Sequence, residues 1–261
     1  MSIEPEGALR QLVDNPAFPR SAEYDPRWVR DNMMGPNVLW LAESLSQVLE
    51  LRPEHRILDL GCGRGLSSIF LAKEFGAQVW AADLWVKPWE NWKRVLEAGV
   101  GDRVFPIRAE AHQLPFATEF FDVIVSLDAY HYFGTDAEYI GYITRFLKPG
   151  GRLGIVVPAT TTDLEETPPH LAALWGWEFW TFRSPDWWRS HWARSGLVDV
   201  EHADLMRDGW QHWVQSDRGS GYDVQAPERA AAVVEDGGRT LGFSRVVARR
   251  TDIELGAPMW T

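Results

Sequence analysis

The stretch RILDLGCGRGLSS, residues 56–68, decides the fold of this chain. A short apolar run ends in Asp59-Leu60, and Gly61, Gly63 and Gly65 follow at alternate positions before the helical pattern LSSIFLAKEF. Glycine in a strand-to-helix turn lets the backbone approach a ligand closely and tolerates a positive φ angle. In a doubly wound sheet, ligands bind outside the carboxyl ends of the strands, where such turns lie. The stretch therefore predicts a strand, a ligand-binding turn and a helix.

Further apolar runs predict the rest of the sheet. Short runs bounded by Gly, Pro or Asp lie at 56–60, 78–82, 103–107, 121–127 and 152–157, and two more lie at 197–205 and 241–250. The first five are separated by segments long enough for helices, which is typical of strand–helix repeats and a mostly parallel sheet. From Asn37, a candidate helix cap, apolar residues recur at helical spacing. We expect an α/β fold.

Composition excludes several classes of function. The chain has 26 basic and 37 acidic residues and a formal net charge of -11, which argues against a surface that tracks nucleic-acid phosphates or an anionic membrane. It has no apolar run long enough to span a bilayer, and its N-terminus does not resemble a signal peptide. Cys62 is the only cysteine, so an internal disulfide is impossible and a cytoplasmic location is expected.

The glycine stretch and four later motifs together resemble the class I S-adenosylmethionine-dependent methyltransferases. LDLGCGRG is similar to motif I of that family, acidic-x-Gly-x-Gly-x-Gly. VWAADLW, AEAHQLPF, FDVIVSLDAYHYF and LKPGGRLGIVVP follow in the family's order. The resemblance implies a Rossmann-like sheet of seven strands, mostly parallel with one antiparallel C-terminal strand, and helices on both faces. It also implies S-adenosylmethionine as cofactor, S-adenosylhomocysteine as product and a small-molecule acceptor.

The resemblance also implies which residues bind the cofactor. Asp83 corresponds to the family's acidic residue that takes the ribose hydroxyls, and a carboxylate can accept two hydrogen bonds from a diol. Glu110 corresponds to the acidic residue that meets the adenine amino group, and the amide of Ala111 would meet the ring. The full expected set is Asp59, Gly61, Cys62, Gly63, Gly65, Asp83, Leu84, Trp85, Glu110, Ala111 and Asp128.

Three alternatives stay open at this point. A nicotinamide-dependent oxidoreductase is disfavoured, because the dinucleotide fingerprint needs glycine at its sixth position and this chain has Leu66 there. A protein that binds S-adenosylmethionine without catalysis is not excluded by these residues. The cyclopropane-forming branch of the fold has little support, since no amphipathic or basic lipid-facing helix is evident.

The loop after the fourth strand, DAYHYF at 128–133, is where the family places catalytic residues. Methyl transfer needs alignment of donor and acceptor, and a base if the acceptor carries a proton. We expect His131 to be that base, since a neutral imidazole accepts protons near pH 7, with Tyr130 beside it and His112 as second candidate. The seven histidines have no metal-ligand spacing, so no metal is expected.

Aromatic residues suggest where the acceptor binds. The chain has 15 tryptophans, and eight lie between residues 175 and 213. We expect residues 1–36 to form an N-terminal arm or lid with little core of its own, and residues 37–261 to form one domain with a Trp-rich cap at about 160–195 and an insertion at about 206–238. The cap could equally pack onto the sheet or be buried in a homodimer interface. Candidate acceptor residues are Tyr24, Trp28, His112, Tyr132, Trp177 and Trp180.

Overall fold

The computed structural model describes residues 6–253 of the chain. Seven strands form one sheet: β1 Arg56–Leu60, β2 Gln78–Asp83, β3 Val104–Arg108, β4 Phe121–Leu127, β5 Leu147–Thr160, β6 Val198–Leu205 and β7 Leu241–Arg250. The α-helices are α1 Glu6–Arg10, α2 Pro26–Asn32, α3 Val38–Ser46, α4 Leu66–Phe75, α5 Pro88–Glu97, α6 Tyr139–Ile143, α7 Pro185–Ala193, α8 Gly209–Ser220, α9 Tyr222–Gln225 and α10 Pro227–Asp236.

The strand order is β3-β2-β1-β4-β5-β7-β6. Strands β1 to β5 pair in parallel, and β7 lies antiparallel between β5 and β6. The prediction of a mostly parallel seven-stranded sheet with one antiparallel C-terminal strand is therefore confirmed. The order reverses between β1 and β4, and a ligand cleft is expected at this switch point.

Local chemistry explains where the first helices and strands begin. Asn37 caps α3, because its Oδ1 accepts a hydrogen bond from the amide of Leu39 at 3.1 Å. Pro88 stands at the start of α5, where the missing amide proton costs nothing. Strand β1 is buried except at Arg56, as expected for a central strand that is covered on both faces.

The predicted arm has more core than its sequence suggested. Leu12, Val13 and Val29 are fully buried, and Phe18 packs against Trp40 of α3. Within residues 6–36 these side chains join the hydrophobic cluster formed by α3 and α4. The expectation of an arm with little core of its own was therefore wrong for this part of the chain, because its apolar residues are separated by proline and charged residues in the sequence and are buried by packing with α3 and α4.

The two predicted insertions differ in content. The first contains short 3-10 turns and α7, and the second, between β6 and β7, folds into α8, α9 and α10. Among the helices of residues 6–253, none is both long and apolar enough to cross a membrane.

Candidate functional site

A cavity of about 440 Å³ lies at the carboxyl ends of β1, β2, β3 and β4, a size typical of small-ligand sites. It is lined in part by Gly61, Asp83, Glu110 and Asp128, one from the end of each of these strands. Neighbouring strands are about 4.8 Å apart, so three gaps between β3 and β4 span about 14 Å. The cavity therefore suits an extended ligand that crosses the ends of four strands.

The glycine loop forms one wall of the cavity. Gly61 has a φ of 77°, and a Cβ atom there would lie 2.5 Å from Cβ of Ala129. Gly63 has a φ of 54°, and a Cβ atom there would lie 3.1 Å from the sulfur of Met34. Both positions thus need glycine for conformation and for close packing. Cys62 lies between them and lines the cavity, and burial raises the pKa of its thiol well above the ordinary value.

Asp83 organises this loop. Its Oδ2 accepts a hydrogen bond from the amide of Gly63 at 2.8 Å, and Oδ1 accepts from the amides of Trp85 and Val86, both at 2.8 Å. A carboxylate has about four acceptor positions, so these three bonds leave one, on Oδ2, for a ligand. The sequence suggested two bonds to a diol, and the structure leaves room for one. Leu84 and Trp85 line the cavity beside it.

Glu110 and Ala111 lie at the β3 end of the cavity, as the sequence suggested. Glu110 accepts hydrogen bonds from the amide and from Nδ1 of His112, at 2.8 and 2.9 Å. His112 also lines the cavity. Its bonds to Glu110 lower the pKa of that carboxyl, against the opposing effect of its partial burial. The pair therefore presents a carboxylate at this end.

Asp128 lies at the other end, after β4, with a φ of 55°. Such a left-handed conformation is uncommon for a residue with a Cβ and points to a constrained loop. Gly35 packs directly on its carboxylate, since a Cβ on Gly35 would lie 2.5 Å from Oδ2. Burial is the largest influence on Asp128 and raises the pKa of its carboxyl to about 7.

Asp59 and Gly65 are not among the lining residues. Asp59 is buried, and its Oδ2 accepts hydrogen bonds from the hydroxyls of Ser67 and Ser68 at 2.5 and 2.6 Å. Burial raises the pKa of Asp59 to about 6. Gly65 caps α4 with a φ of 79°. Both therefore shape the start of α4 behind the cavity wall, where sequence alone placed them in direct contact with a ligand.

The end of the arm covers the cavity, and sequence analysis missed the residues that hold it there. Met34 and Gly35 line the cavity. We call Asn32, Asn91 and Arg94 the arm latch. Nε of Arg94 donates to Oδ1 of Asn32 at 2.6 Å, and its Nη1 donates to Oδ1 of Asn91 at 3.0 Å.

The arm latch reaches the glycine loop. Nδ2 of Asn91 donates to the carbonyl of Gly63 at 2.9 Å. A second link comes from Nη1 of Arg64, which donates to the carbonyl of Asp31 at 2.8 Å. These polar contacts have no periodic sequence signal, because they join α2, α5 and a loop that are distant in the chain. They tie the position of the arm to the conformation of the loop.

Tyr24 and Trp28 lie elsewhere on the arm and do not line the cavity. The hydroxyl of Tyr24 donates to Oε1 of Glu74 at 3.1 Å, and its ring packs against Phe70 and Trp28. They anchor the arm on α4, which corrects the expectation that they contact an acceptor.

Tyr130 and His131 also lie outside the cavity lining. Tyr130 is fully buried, with its ring 5.6 Å from that of Trp188 and 5.7 Å from that of Trp192. His131 is 3% exposed, and its Nδ1 has no hydrogen-bond partner among residues 6–253. Burial lowers the pKa of His131 to about 4. Both side chains pack between the β4 loop and the cap. This corrects the expectation from sequence that they take part in catalysis.

The aromatic candidates divide in the same way. Tyr132 lines the cavity and is 64% exposed. Trp177 and Trp180 do not line it, and they are 80% and 41% exposed. The larger part of the Trp-rich region packs inward, as Trp188, Trp192 and Trp213 show by their burial.

The charges of the cavity wall fit S-adenosylmethionine. Three carboxylates, on Asp83, Glu110 and Asp128, face one guanidinium, that of Arg64. This excess of negative charge complements a ligand that carries a sulfonium and an ammonium group. Within residues 6–253 no three His, Cys, Asp or Glu side chains are grouped so that they could hold a metal ion.

Comparisons with known proteins agree with this geometry. A family model described as a methyltransferase domain matches residues 57–151. The 27-O-demethylrifamycin SV methyltransferase of Amycolatopsis mediterranei is 34% identical over 228 residues, which cover 81% of this chain and 83% of that protein. Methyltransferase GfsG of Streptomyces halstedii is 34% identical over 128 residues, 48% of this chain, and the match spans only 46% of GfsG.

A solved structure has the same fold. The geranyl diphosphate C-methyltransferase of Streptomyces coelicolor, in complex with Mg²⁺, geranyl diphosphate and S-adenosyl-L-homocysteine, superimposes with a TM-score of 0.65 at 19% identity, covering 80% of this chain and 78% of that one. The glycine loop, the carboxylates at the ends of β2, β3 and β4, the strand order and these relatives agree, and the chain belongs to the class I S-adenosylmethionine-dependent methyltransferases.

Proposed function

We propose that this enzyme transfers the methyl group of S-adenosylmethionine to a hydroxyl group of a small molecule. The observation that carries the proposal is the row of Gly61, Asp83, Glu110 and Asp128 along one cavity. The hydroxyl acceptor is supported by the rifamycin methyltransferase, whose name states an O-methylation and which this chain matches over 83% of its length.

The cofactor, when bound, supplies a methyl group on a positively charged sulfur. In the proposed arrangement Glu110 and the amide of Ala111 hold the adenine, and Asp83 accepts a hydrogen bond from one ribose hydroxyl. Leu84 and Trp85 provide apolar contact beside the ribose. The carboxylate of Asp128 lies at the opposite end, where the methionine part would face the acceptor.

We propose that residues 1–36 act as a lid. Met34 and Gly35 line the cavity, and the arm latch holds them there. A closed lid excludes water from the reacting groups, which strengthens their electrostatic interactions. The Trp-rich region and helices α8, α9 and α10 form the cap on the acceptor side in this proposal.

We assign neither His131 nor Tyr130 as the base. Both are buried outside the cavity lining, and a base must reach the proton that it removes. Their proposed role is to position the β4 loop, and Tyr132 in particular, since the rings of His131 and Tyr132 lie 4.0 Å apart.

The test has two stages. Isothermal titration with S-adenosylmethionine, S-adenosylhomocysteine and NADH should show binding of the two adenosyl compounds and none of NADH. Incubation with cofactor carrying a radioactive methyl group and 27-O-demethylrifamycin SV, followed by a panel of phenols and macrocyclic alcohols, then tests transfer to oxygen. Label found only on amine acceptors would overturn the hydroxyl assignment while leaving the cofactor in place.

A further inference from the structure

The reaction at a hydroxyl needs a group that removes a proton, and few side chains of the cavity are free to do so. Asp83 already accepts three backbone hydrogen bonds. Glu110 is bonded to His112 at the β3 end of the cavity. Cys62 is a buried thiol with a raised pKa, which disfavours its anion. Among the carboxylates that line the cavity, Asp128 is the one without such partners.

Asp128 lies beside the glycine loop. Its neighbour Ala129 packs against Gly61 so closely that a Cβ on Gly61 would lie 2.5 Å from that of Ala129. Strands β1 and β4 are adjacent, with Asp59 in register with Val125. The carboxylate therefore follows the strand next to the loop that holds the cofactor, at the end of the cavity farthest from Glu110.

Within residues 6–253 no group donates a hydrogen bond to the carboxylate of Asp128, on which only burial and the charges of Arg229 and Asp217 act. Gly35 covers it from the arm. Both carboxylate oxygens thus keep their acceptor positions for a ligand. Asp128 is partly exposed where it lines the cavity, so a ligand that enters the cavity can reach this free carboxylate.

The charged groups around Asp128 come from the cap. Arg229 of α10 and Asp217 of α8 act on it electrostatically, and it acts in turn on Tyr132 and on Tyr222 of α9. Nη2 of Arg229 lies 3.3 Å and 3.4 Å from the two carboxylate oxygens of Asp217.

The hydrogen bonds of Arg229 go to Asp217 and none to Asp128. Burial raises the pKa of Asp128 to about 7, Arg229 lowers it in part and Asp217 raises it. A base is most efficient when its pKa lies near the working pH, and the surroundings of Asp128 meet that condition.

We propose that the carboxylate of Asp128 is the general base that takes the proton from the acceptor hydroxyl, a role that rests on the proposed O-methyl transfer. The acceptor oxygen forms a bond to the methyl carbon as the bond from that carbon to sulfur breaks. The electron pair of the broken bond stays on sulfur, which gives neutral S-adenosylhomocysteine. The hydroxyl proton moves to an oxygen of Asp128. Arg229 and Asp217 are positioning residues that fix the charge around it.

The first experiment measures the protonation of Asp128 itself. The enzyme is labelled with aspartate carrying ¹³C at the side-chain carboxyl and titrated by NMR, and Asp128→Asn identifies the resonance. We expect the carboxyl to titrate between about pH 6 and 8, as a base near neutral pH requires. Titration below about pH 5 would overturn the proposal. Asp102→Asn is the matched control, since the side chain of Asp102 is 74% exposed.

The second experiment measures methyl transfer to 27-O-demethylrifamycin SV. Asp128→Asn should lower kcat at least 100-fold with little change in the affinity for S-adenosylhomocysteine, in keeping with the usual size of general-base effects. The wild-type rate should rise about tenfold per pH unit below about pH 7, as expected for a single ionising base, and the residual rate of the variant should not. A variant that retains the wild-type rate would overturn the proposal.

The two proposals can fail separately. If the wild-type enzyme does not bind S-adenosylmethionine, the proposed function fails. If it binds the cofactor but does not use this acceptor, the NMR titration decides the role of Asp128 alone. If Asp128→Asn does not fold, Asp128→Glu is measured in its place. Because this variant retains a carboxyl group, its kcat should be reduced but should still depend on pH.

Discussion

The backbone of Gly35 lies against the carboxylate of Asp128, so that the arm and the β4 loop meet over the cavity. A Cβ on Gly35 would be 2.5 Å from Oδ2, well inside contact distance. We expect Gly35→Ala to displace the arm, which lines the cavity, and to weaken S-adenosylhomocysteine binding at least tenfold by isothermal titration. Gly7→Ala is the control, because a Cβ there meets nothing within 4 Å. Equal affinities of the two variants would contradict the contact.

The arm latch makes a kinetic prediction. Arg94→Ala removes the hydrogen bonds to Asn32 and Asn91, so the arm should open more often and S-adenosylhomocysteine should dissociate at least fivefold faster in a stopped-flow experiment. Lys93→Ala, an exposed neighbour on the same helix, should leave the rate unchanged. If both variants release the ligand at the wild-type rate, the arm does not gate the cavity.

Asp83 should affect stability and binding together. The backbone amides of Gly63, Trp85 and Val86 donate to the Asp83 carboxylate. In Asp83→Asn a side-chain NH2 group replaces one acceptor oxygen, so at least one of these backbone donors loses its partner. An unpaired buried donor costs about 1–3 kcal/mol of unfolding free energy, measurable in urea. We also expect S-adenosylhomocysteine affinity to fall at least 30-fold. Asp102→Asn should change neither, and a stability loss with unchanged affinity would make Asp83 a loop organiser only.

His131 predicts a dependence of stability on pH. Its folded pKa of about 4 lies below the unfolded value of about 6.5, so protons bind preferentially to the unfolded chain. The stability that neutral His131 contributes is therefore fully present above about pH 6.5 and is lost as the pH falls toward 4. His131→Phe removes this titration. At pH 5 the variant should gain about 2 kcal/mol relative to the wild type, compared with their difference at pH 8.

The experiment compares the unfolding free energies of the wild type and the His131→Phe variant at each pH. This difference is needed because other groups change the stability of both proteins in the opposite direction. The raised pKa values of Asp59 and Asp128 make the folded protein bind protons more readily, and their effect is common to both proteins. Parallel curves for wild type and variant between pH 8 and 4 would show that His131 is accessible to protons in the folded state.

The tryptophans of the cap should divide into two groups. Trp188 is fully buried and packs 5.6 Å from the ring of Tyr130. Trp188→Ala should therefore lower the unfolding free energy by about 3–5 kcal/mol. Trp177→Ala, at a position that is 80% exposed, should change it by less than about 0.5 kcal/mol. Thermal or urea unfolding of the two variants measures both values.

The sequence predicted the strands well because each is a short apolar run between breakers. The run at 78–82 became Gln78–Asp83, and the run at 241–250 became Leu241–Arg250. Strand β5 is longer than predicted at both ends, since Leu147 pairs with Phe121 of β4 and Thr160 pairs with Leu241 of β7. Such an extension depends on a partner strand that is far away in the chain.

The cavity was predictable where strand order alone brings residues together. Asp83 ends β2, Glu110 and Asp128 lie within two residues of the ends of β3 and β4, and all three line the cavity. Side chains in the 3-10 turn at Tyr130–Tyr132 were not predictable, because that turn buries His131 and exposes Tyr132. The arm latch was missed since single polar residues on two helices carry no pattern.

Strand β7 lies between β5 and β6 and is the only partner of β6 among the described strands. During synthesis β6 leaves the ribosome before β7, so it must wait unpaired until β7 arrives and inserts. Helix α8, which follows β6 in the chain, packs against β7, so it can take its final place only at that step. We therefore expect the half of the molecule that faces the cofactor to become ordered on the ribosome earlier than the half that carries the cap.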